Sequence, residues 1–566
     1  MNSLQPLDYI VFLVYFIIVS GYGYYIYNKK KKSTISASHD YFLAEGSLTW
    51  WAIGASLIAS NISAEQFIGM SGEGFFLGIA VAAYEWIAAI ALIVVAVWFI
   101  PVYLKNNIYT MPQFLKTRYN ESVALIMAIF WLFLYVFVNL TSILYLGAVA
   151  INGLVGGGYL HVIMVALAVF ALIISLGGMK VIGYTDVIQV VVLIVGGLVT
   201  TYIALTTVSE SFGLGKSALA GFNALIENAP EHFKMIIPKP TATSAQNDID
   251  KYITFPGVLS YLGGIWIINL NYWGCNQYIT QRALGADLQT ARTGILFAGF
   301  LKLLMPVIVM LPGIAAYVLY TKGELPQLVG GKDGAYSAVL TFLPTGIKGL
   351  SVAALTAAIV ASLAGKVNSI STIYTLDIHD RYFKKSKEQH EKSLVVIGKV
   401  AVFGAMVIAL IFTWNDLLGI GGKGGFTFIQ QYTGYISPGV FAMFFLGMFW
   451  KRTTGAAAIA GVITGFLLSV LFNDFAPGLF GNETFLYTAY HTVKDGKDIF
   501  VIPFHICMGL SFLFTMILMI AISMAGPKEN PKAFELDKQM FKLKPSTLAL
   551  VVATLLIIAA LYIKFW

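Results

Sequence analysis

The sequence predicts an all-α polytopic membrane protein with about fourteen transmembrane helices. Of its 566 residues, 58% are hydrophobic and only 11% are charged, and the mean hydropathy is +0.78. Soluble domains carry about 25% charged residues. Runs of about 20 apolar residues recur along the chain, which is the length that a helix needs to cross a bilayer. Strands of a membrane barrel would instead alternate over about 10 residues, and the sequence lacks that alternation.

The predicted spans follow these apolar runs in chain order. The first run opens at Asp8 with no basic segment before it and no small-residue cleavage site after it. We therefore interpret it as a retained anchor helix and not as a signal peptide. The fourteen spans are 8–27, 49–77, 79–104, 122–151, 160–177, 184–207, 254–281, 294–320, 347–375, 394–415, 425–449, 454–473, 500–525 and 546–565.

The distribution of basic residues predicts the topology. About two-thirds of all Lys and Arg fall on one side of these spans, for example in the clusters at 29–32 and 528–544, and by the positive-inside rule that side is cytoplasmic. Both termini should then lie outside, with the longest outer loop at 208–253. The basic cytoplasmic loops therefore account for the net charge of +8, and this charge does not indicate a nucleic-acid partner.

Cys275 and Cys507 lie inside apolar runs, which excludes a disulfide framework.

Two spans carry a polar centre between apolar halves, at 60–66 and at 269–277. A helix that is broken at mid-membrane exposes backbone carbonyls that can bind a cation, and paired breaks indicate an inverted repeat. A pair of polar contacts between helices is the alternative. We expect five helices in each repeat of the core. The predicted segments are 1–48 (leading helix and basic cytoplasmic loop), 49–207 (first repeat), 208–253 (extracytoplasmic loop), 254–450 (second repeat) and 451–566 (three trailing helices).

Several other polar residues fall inside apolar spans, where each is costly unless it faces a cavity or a partner. They are Glu85, Asp186, Lys302, Asn368 and Gln430. Alternatives remain open for two of these positions and for Glu65 in the second span. Lys302 could snorkel to the membrane surface, Asp186 could cap a helix start, and Glu65 could cap the outer half of the second span.

Enzyme chemistry is not predicted. The segment at 210–217 lacks the first glycine of a phosphate-binding loop, and the glycine-rich string at 419–424 follows an apolar helix and not a strand of a parallel sheet. Seven histidines are scattered without metal-ligand spacing.

Four strings in the chain resemble the sodium/solute symporter family, and within it the sodium/sugar branch. They are 59–72 (ASNISAEQFIGMSG), 184–190 (YTDVIQV), 276–279 (NQYI) and 447–454 (GMFWKRTT). The resemblance covers nearly the whole chain. It implies a ten-helix inverted-repeat core with one leading and three trailing helices, and sodium-coupled import of a neutral hexose such as galactose or glucose by alternating access.

The resemblance also implies a sodium site. Its ligands would be the carbonyls of Ala59 and Ile62, together with Ala358, Ala361 and Ser362 of the ninth span. Where the family commonly has two adjacent serines, this chain has Ala361 before Ser362, so one hydroxyl is missing and the ion stoichiometry stays open. Asp186 would assist ion release.

For the sugar, the resemblance implies hydrogen-bonding residues and gates. Amides, a carboxylate and an ammonium suit hydroxyls that both donate and accept. The implied binding residues are Gln66, Glu85, Asn269, Lys302 and Gln430, with Asn61 between the ion and the sugar. The implied gates are Tyr272 and Trp273 on the inside, and Met70, Tyr84 and Phe426 on the outside. Ala88 replaces a serine of the known sugar transporters, so the hexose preference is not carried over intact.

Two other functions are weighed against sugar symport. A sodium symporter for a polyol, an amino acid or a carboxylate could share the fold, although an anionic substrate would call for a positive excess, and Glu85 offsets Lys302. A channel or a membrane sensor would need a pore ring or a signalling domain, and neither is evident.

We expect a multi-pass protein of the cell (inner) membrane whose partners are sodium, a small sugar and the lipid bilayer. The oligomeric state is left open.

Overall fold

Apolar helices form most of the structure, because a backbone in lipid must satisfy its hydrogen bonds internally. A computed structural model describes residues 4–28, 48–63, 65–155, 158–325, 328, 331–382, 387–417, 425–481, 488–494 and 496–566. The basic cluster at 29–32 and the glycine-rich string at 419–424 lie outside these ranges.

The helices include π-helical and 3-10 turns. In chain order they are Pro6–Asn28, Trp50–Asn61, Glu65–Met70, Ser71–Leu77, Gly78–Ala82, Ala83–Val94, Val95–Phe99, Ile100–Lys105, Met111–Arg118, Glu121–Phe133, Leu134–Leu140, Thr141–Val155, Leu160–Ser175, Gly178–Ser211, Ala218–Asn228, Pro230–Phe233, Gln246–Thr254, Gly257–Leu262, Ile265–Cys275, Gln277–Leu284, Leu288–Lys302, Met305–Val309, Leu311–Thr321, Gly331–Gly334, Ala335–Leu340, Ile347–Thr372, Ile373–His379, Asp380–Tyr382, Lys387–Trp414, Gly425–Gly434, Ser437–Phe449, Gly455–Val470, Leu471–Phe475, Ala476–Phe480, Phe504–Met524, Lys538–Phe541 and Pro545–Phe565.

The predicted membrane architecture is confirmed, but the count of fourteen helices is not. Within the described ranges, nine helices are long and apolar enough to cross a bilayer, and two bent helix pairs raise the number to eleven. Leu160–Ser175 and Ser437–Phe449 are apolar but shorter. Part of the difference arises in Glu65–Lys105, one helical stretch of 41 residues that joins the end of the second predicted span to the whole of the third. Gly78 lies inside this stretch with a φ of 75°, a conformation that favours glycine.

A short β-hairpin was not predicted from the sequence. Strand Tyr490–Lys494 pairs antiparallel with Lys497–Val501, with Tyr490 opposite Val501. The helix that follows begins at Phe504 and not at 500. Thr492 donates a hydrogen bond from Oγ1 to Oδ1 of Asp250 at 2.7 Å, so the hairpin is fixed to the helix Gln246–Thr254.

The chain forms two compact units. The first unit comprises Met1–Gly78, Leu125–His232 and Gln277–Phe426, and the second comprises Ile79–Ala124, Phe233–Asn276 and Thr427–Trp566.

Both predicted helix breaks are present. The helix of the second predicted span stops at Asn61, the chain continues through Ile62 and Ser63 in non-helical conformation, and the helix resumes at Glu65. In the seventh predicted span, Ile265–Cys275 and Gln277–Leu284 are separated by Asn276, whose φ of −103° and ψ of 122° are extended. These breaks fall within the two polar centres of the sequence, as the inverted-repeat hypothesis requires.

The eighth predicted span is bent, although its continuous apolar composition does not predict a bend. Leu288–Lys302 and Met305–Thr321 meet at an angle of 41°. Asp287 begins the first helix as its N-cap and accepts hydrogen bonds from the backbone N–H groups of Gln289 and Thr290. Pro306 lies just after the bend and supplies no backbone donor there. Lys302 is therefore the last residue before a bend.

Asp8 connects the leading helix to the helix Ile347–Thr372. Its Oδ1 atom accepts hydrogen bonds from the N–H groups of Gly346 at 2.7 Å and Gly349 at 2.8 Å, and Oδ2 accepts from Gln5 at 2.9 Å. The first N–H groups of a helix have no partner within it. The buried carboxylate of Asp8 therefore caps this helix from another part of the chain.

We expect Asp8→Ala to lower the stability of the protein, because it leaves buried amide donors without an acceptor. An unsatisfied buried donor costs about 1–3 kcal/mol. The thermal unfolding midpoint of the detergent-purified protein measures the effect. Asp8→Asn keeps an acceptor oxygen and is the matched control, with a smaller expected decrease. Equal midpoints for Asp8→Ala and the unchanged protein would show that the cap does not stabilise the fold.

Candidate functional site

The first broken span presents backbone carbonyls at its break. The Ile62 N–H donates to the carbonyl of Ile58 at 2.9 Å, and the backbone of Ile62 is then extended, with a φ of −81° and a ψ of 108°. The last carbonyls of a helix have no partner within it. Ala59 and Ile62, whose carbonyls were predicted to bind sodium, lie at this break and are fully buried.

The helix Ile347–Thr372 lies against the same break. Ser362 donates a hydrogen bond from its Oγ to the carbonyl of Ser60 at 2.6 Å. Ala358 and Ala361, the other predicted positions on this helix, are fully buried. The Ser362 hydroxyl therefore contacts the residue that directly follows Ala59 in the chain.

Asp186 belongs to a buried charged cluster. The helix Gly178–Ser211 begins well before Asp186, so the capping alternative is wrong. Ser56 donates from Oγ to Oδ2 of Asp186 at 2.5 Å, and Arg282 donates from Nε to Ser56 Oγ at 2.8 Å. The Nη2 atom of Arg282 lies 3.9 Å from the same carboxylate oxygen. Asp186 is thus paired with Arg282, both directly and through Ser56.

Three predicted sugar-binding residues belong to the first unit. Lys302 is 1% exposed, and its ammonium donates to Oδ1 of Asn61 at the first break. Burial against Asn61 contradicts the alternative that Lys302 snorkels to the membrane surface. Gln66 is buried in the half-helix Glu65–Met70, and its Oε1 atom has no hydrogen-bond partner among the residues that the structure describes.

The other three predicted sugar-binding residues belong to the second unit. Glu85 is buried in Ala83–Val94. Asn269 is also buried, and its Nδ2 donates to the carbonyl of Ile265 at 2.8 Å. Gln430 is half-buried in Gly425–Gly434.

The predicted gate residues have defined aromatic neighbours. Tyr272 and Trp273 pack edge to face in the second unit, with ring centroids 5.1 Å apart. In that unit the Tyr84 hydroxyl is also hydrogen-bonded to Nε2 of His505 at 2.9 Å. In the first unit, Phe426 packs closely on Gly69, next to the buried Met70, so that a Cβ at Gly69 would lie 2.6 Å from the Cβ of Phe426.

Four buried polar residues were not assigned to the site from sequence. They are Arg282, Ser56, Lys366 and His505. A lysine within the apolar ninth span was a usable signal for Lys366. Asn368 was singled out, and its Nδ2 lies 3.4 Å from Sδ of Met179, within the first unit.

Comparison with known proteins identifies the family. The profile of the sodium:solute symporter family matches residues 41–465. The chain belongs to this family. It is 40% identical to a sodium/glucose cotransporter of Vibrio parahaemolyticus, over 100% of this chain and 99% of that protein. It is also 33% identical to the human sodium/myo-inositol cotransporter 2, over 83% of this chain and 70% of that protein.

Solved structures show the fold of the symporter. A Na⁺-coupled sialic acid symporter in its substrate-bound outward-open state superposes with a TM-score of 0.73 at 19% identity, over 93% of this chain and 99% of that one. A nucleobase-cation-symport-1 family transporter gives a TM-score of 0.50 at 14% identity, over 87% and 96%. The predicted inverted-repeat fold is therefore confirmed.

Membership of the family also settles the class of activity. The symporter is a multi-pass membrane transporter and not an enzyme, and sodium is its coupling ion. The predictions of family and of sodium coupling made from the sequence are confirmed.

Proposed function

We propose that the symporter imports a neutral hexose such as glucose or galactose together with sodium, by alternating access. One observation supports this proposal most directly. The hydroxyl of Ser362 and the ammonium of Lys302 meet neighbouring residues of the first break, Ser60 and Asn61. An ion bound on one side of the break and a sugar bound on the other would therefore stabilise the same local structure.

For sodium, we propose the ligands predicted from the sequence. They are the carbonyls of Ala59 and Ile62, with Ala358, Ala361 and Ser362 on the facing helix. Na⁺ is a hard cation, and Ser362 is the only residue of this set with a side-chain oxygen. Ala358 and Ala361 carry no side-chain oxygen, so each would contribute only its backbone carbonyl. Asp186, which is held in a cluster with Ser56 and Arg282, would assist the release of the ion.

For the sugar, we propose ligands with the donors and acceptors that hydroxyl groups need. They are Asn61, Gln66, Glu85, Asn269, Lys302 and Gln430. The proposed gates are Tyr272 and Trp273 on the inside, and Met70, Tyr84 and Phe426 on the outside.

A polyol is the second candidate substrate. The names of the relatives include both glucose and myo-inositol. Ala88 is buried and has no hydroxyl to offer, so recognition of a hexose would lack the serine contact of the known sugar transporters. A panel of hexoses and cyclitols distinguishes the two substrate classes.

We also propose the topology and the boundaries of the repeats. The basic loops would face the cytoplasm and both ends of the chain would lie outside the cell membrane. In a bacterial cell that membrane is the inner one, as the Vibrio relative suggests. The repeats would be 49–207 and 254–450.

Sugar binding in sodium and in choline tests the proposal. Coupling between two ligands is reciprocal, so sodium should raise sugar affinity by the factor by which sugar raises sodium affinity. We expect a factor of about 5 to 150, the usual range for coupled sites. Titration calorimetry on the purified protein, with glucose, galactose and myo-inositol, measures both affinities. Equal sugar affinity in the two salts would contradict symport.

A further inference from the structure

Lys366 is a buried cation near the proposed sodium site to which neither proposed site assigns a role. It lies on the helix Ile347–Thr372 and is 4% exposed. Residues four apart share one face of a helix, so Lys366 follows Ser362 on the same face, about 6 Å further along the axis. Its ammonium lies over the ring of Tyr278, 5.2 Å from the centroid. An extended lysine stem is long enough to bridge one helical turn.

Glu65 provides the opposite charge at the break. It begins the half-helix Glu65–Met70, just beyond the extended residues, and it interacts electrostatically with Lys366. The Oε1 atom of Glu65 has no hydrogen-bond partner within the described part of the chain. Glu65 as a whole is half-buried, but its Oε1 atom is inaccessible to solvent, and an uncompensated charge on a buried atom is costly. A negative and a positive group therefore lie near the break where the proposed sodium ligands meet.

The other charges packed around Lys366 are held in place. Arg282 lies over the same Tyr278 ring at 5.2 Å, and its hydrogen bonds to Ser56 and to the carbonyl of Tyr278 fix its position. Asp186 balances the charge of Arg282. Gly365 leaves room for this packing, since an added Cβ would meet Nη2 of Arg282 and would lie 3.3 Å from Oγ of Ser60.

We propose that Lys366 is a tethered counter-cation that competes with sodium. In the sodium-free symporter, its ammonium compensates Glu65 and the carbonyl dipoles of the first break, and Na⁺ binds against its positive charge. Lys366 thereby weakens sodium binding and stabilises the empty site, which favours ion release. This inference rests on the proposed sodium site. Glu65 has the opposite effect, since its negative charge attracts the ion.

Opposite changes in sodium affinity test the proposal. Sodium binding to the purified full-length protein is measured without sugar, as the half-saturating concentration in a sodium titration against choline. We expect Lys366→Met to lower this concentration about tenfold or more, because two unit charges within one helical turn repel appreciably even at an effective dielectric constant near 20. We expect Glu65→Gln to raise it. A purely structural role would weaken sodium binding in both variants.

Three further variants make the result decisive. Lys348→Met removes another buried lysine from the far end of the same helix and should leave sodium affinity unchanged. Lys366→Gln gives the same direction of change if the methionine variant does not fold. Ser362→Ala tests the sodium site itself and should weaken binding tenfold or more.

The outcomes separate the two proposals. If Ser362→Ala leaves sodium affinity unchanged, the proposed sodium site is wrong. If Ser362→Ala weakens binding but Lys366→Met and Lys366→Gln do not tighten it, the site stands and the counter-cation proposal is overturned. Tighter binding in the Lys366 variants with weaker binding in Glu65→Gln supports it.

Discussion

Replacement of Lys302 by methionine is expected to lower sugar affinity by about ten- to a hundredfold. The ammonium is buried, its pairing with Asn61 holds it at the first break, and in our account it donates to a sugar hydroxyl. A hydrogen bond to a charged group contributes about 1.5–3 kcal/mol, and 1.4 kcal/mol corresponds to a factor of ten. Sugar titrations of monodisperse protein at saturating sodium measure the change.

The same titrations distinguish sugar binding from mere charge balance. Glu85→Gln should also cost sugar affinity while leaving the fold intact, and the double variant Glu85→Gln/Lys302→Met should bind sugar no better than either single variant. If the two charges only neutralise each other, removing both can be harmless. Recovery of sugar affinity in the double variant would therefore contradict our assignment.

Arg118→Met is expected to be among the most destabilising single changes in the second unit. The guanidinium is buried and donates to three carbonyls, those of Gly447 at 2.6 Å and of Trp450 and Thr453 at 3.1 Å each. These carbonyls lie at and just beyond the C-terminal end of the helix Ser437–Phe449, where backbone acceptors lack partners and positive charge is favoured. Loss of all three donors should cost about 3 kcal/mol or more.

The thermal unfolding midpoint measures the effect of Arg118→Met. Lys116→Met is the matched control, because Lys116 is on the same helix but forms an exposed ion pair with Glu121 at 3.1 Å. Exposed pairs contribute at most about 1 kcal/mol. Equal decreases in the two variants would show that the carbonyl cluster around Arg118 contributes little.

The helix breaks were predictable because their signal is local. Polar strings at 60–66 and 269–277 interrupt apolar segments, and the backbone is extended at Ile62 and Asn276, inside those strings. The family resemblance, and not the composition, singled out Ser362, whose hydroxyl meets the first break at the carbonyl of Ser60. Helical spacing adds only that Ala358 lies on the same face of that helix as Ser362.

The charged clusters were not predictable because their partners are distant in sequence. Asp186 and Arg282 meet only through the packing of their helices, and Arg282 in isolation is typical of a basic cytoplasmic loop. The bend after Lys302 was missed for a related reason: the apolar composition is continuous across it, and Pro306 alone does not fix the angle. Arg118 was missed as a cap because its three carbonyls lie more than 300 residues away.

Sugar uptake driven by a sodium gradient tests the central claim most directly. Proteoliposomes that contain the purified symporter are given radiolabelled glucose, galactose or myo-inositol under an inward sodium gradient. We expect at least one of these solutes to accumulate above its external concentration, and the accumulation to vanish when choline replaces sodium or when an ionophore collapses the gradient. Uptake that is equal in sodium and choline and never exceeds equilibration would contradict sodium-coupled sugar symport.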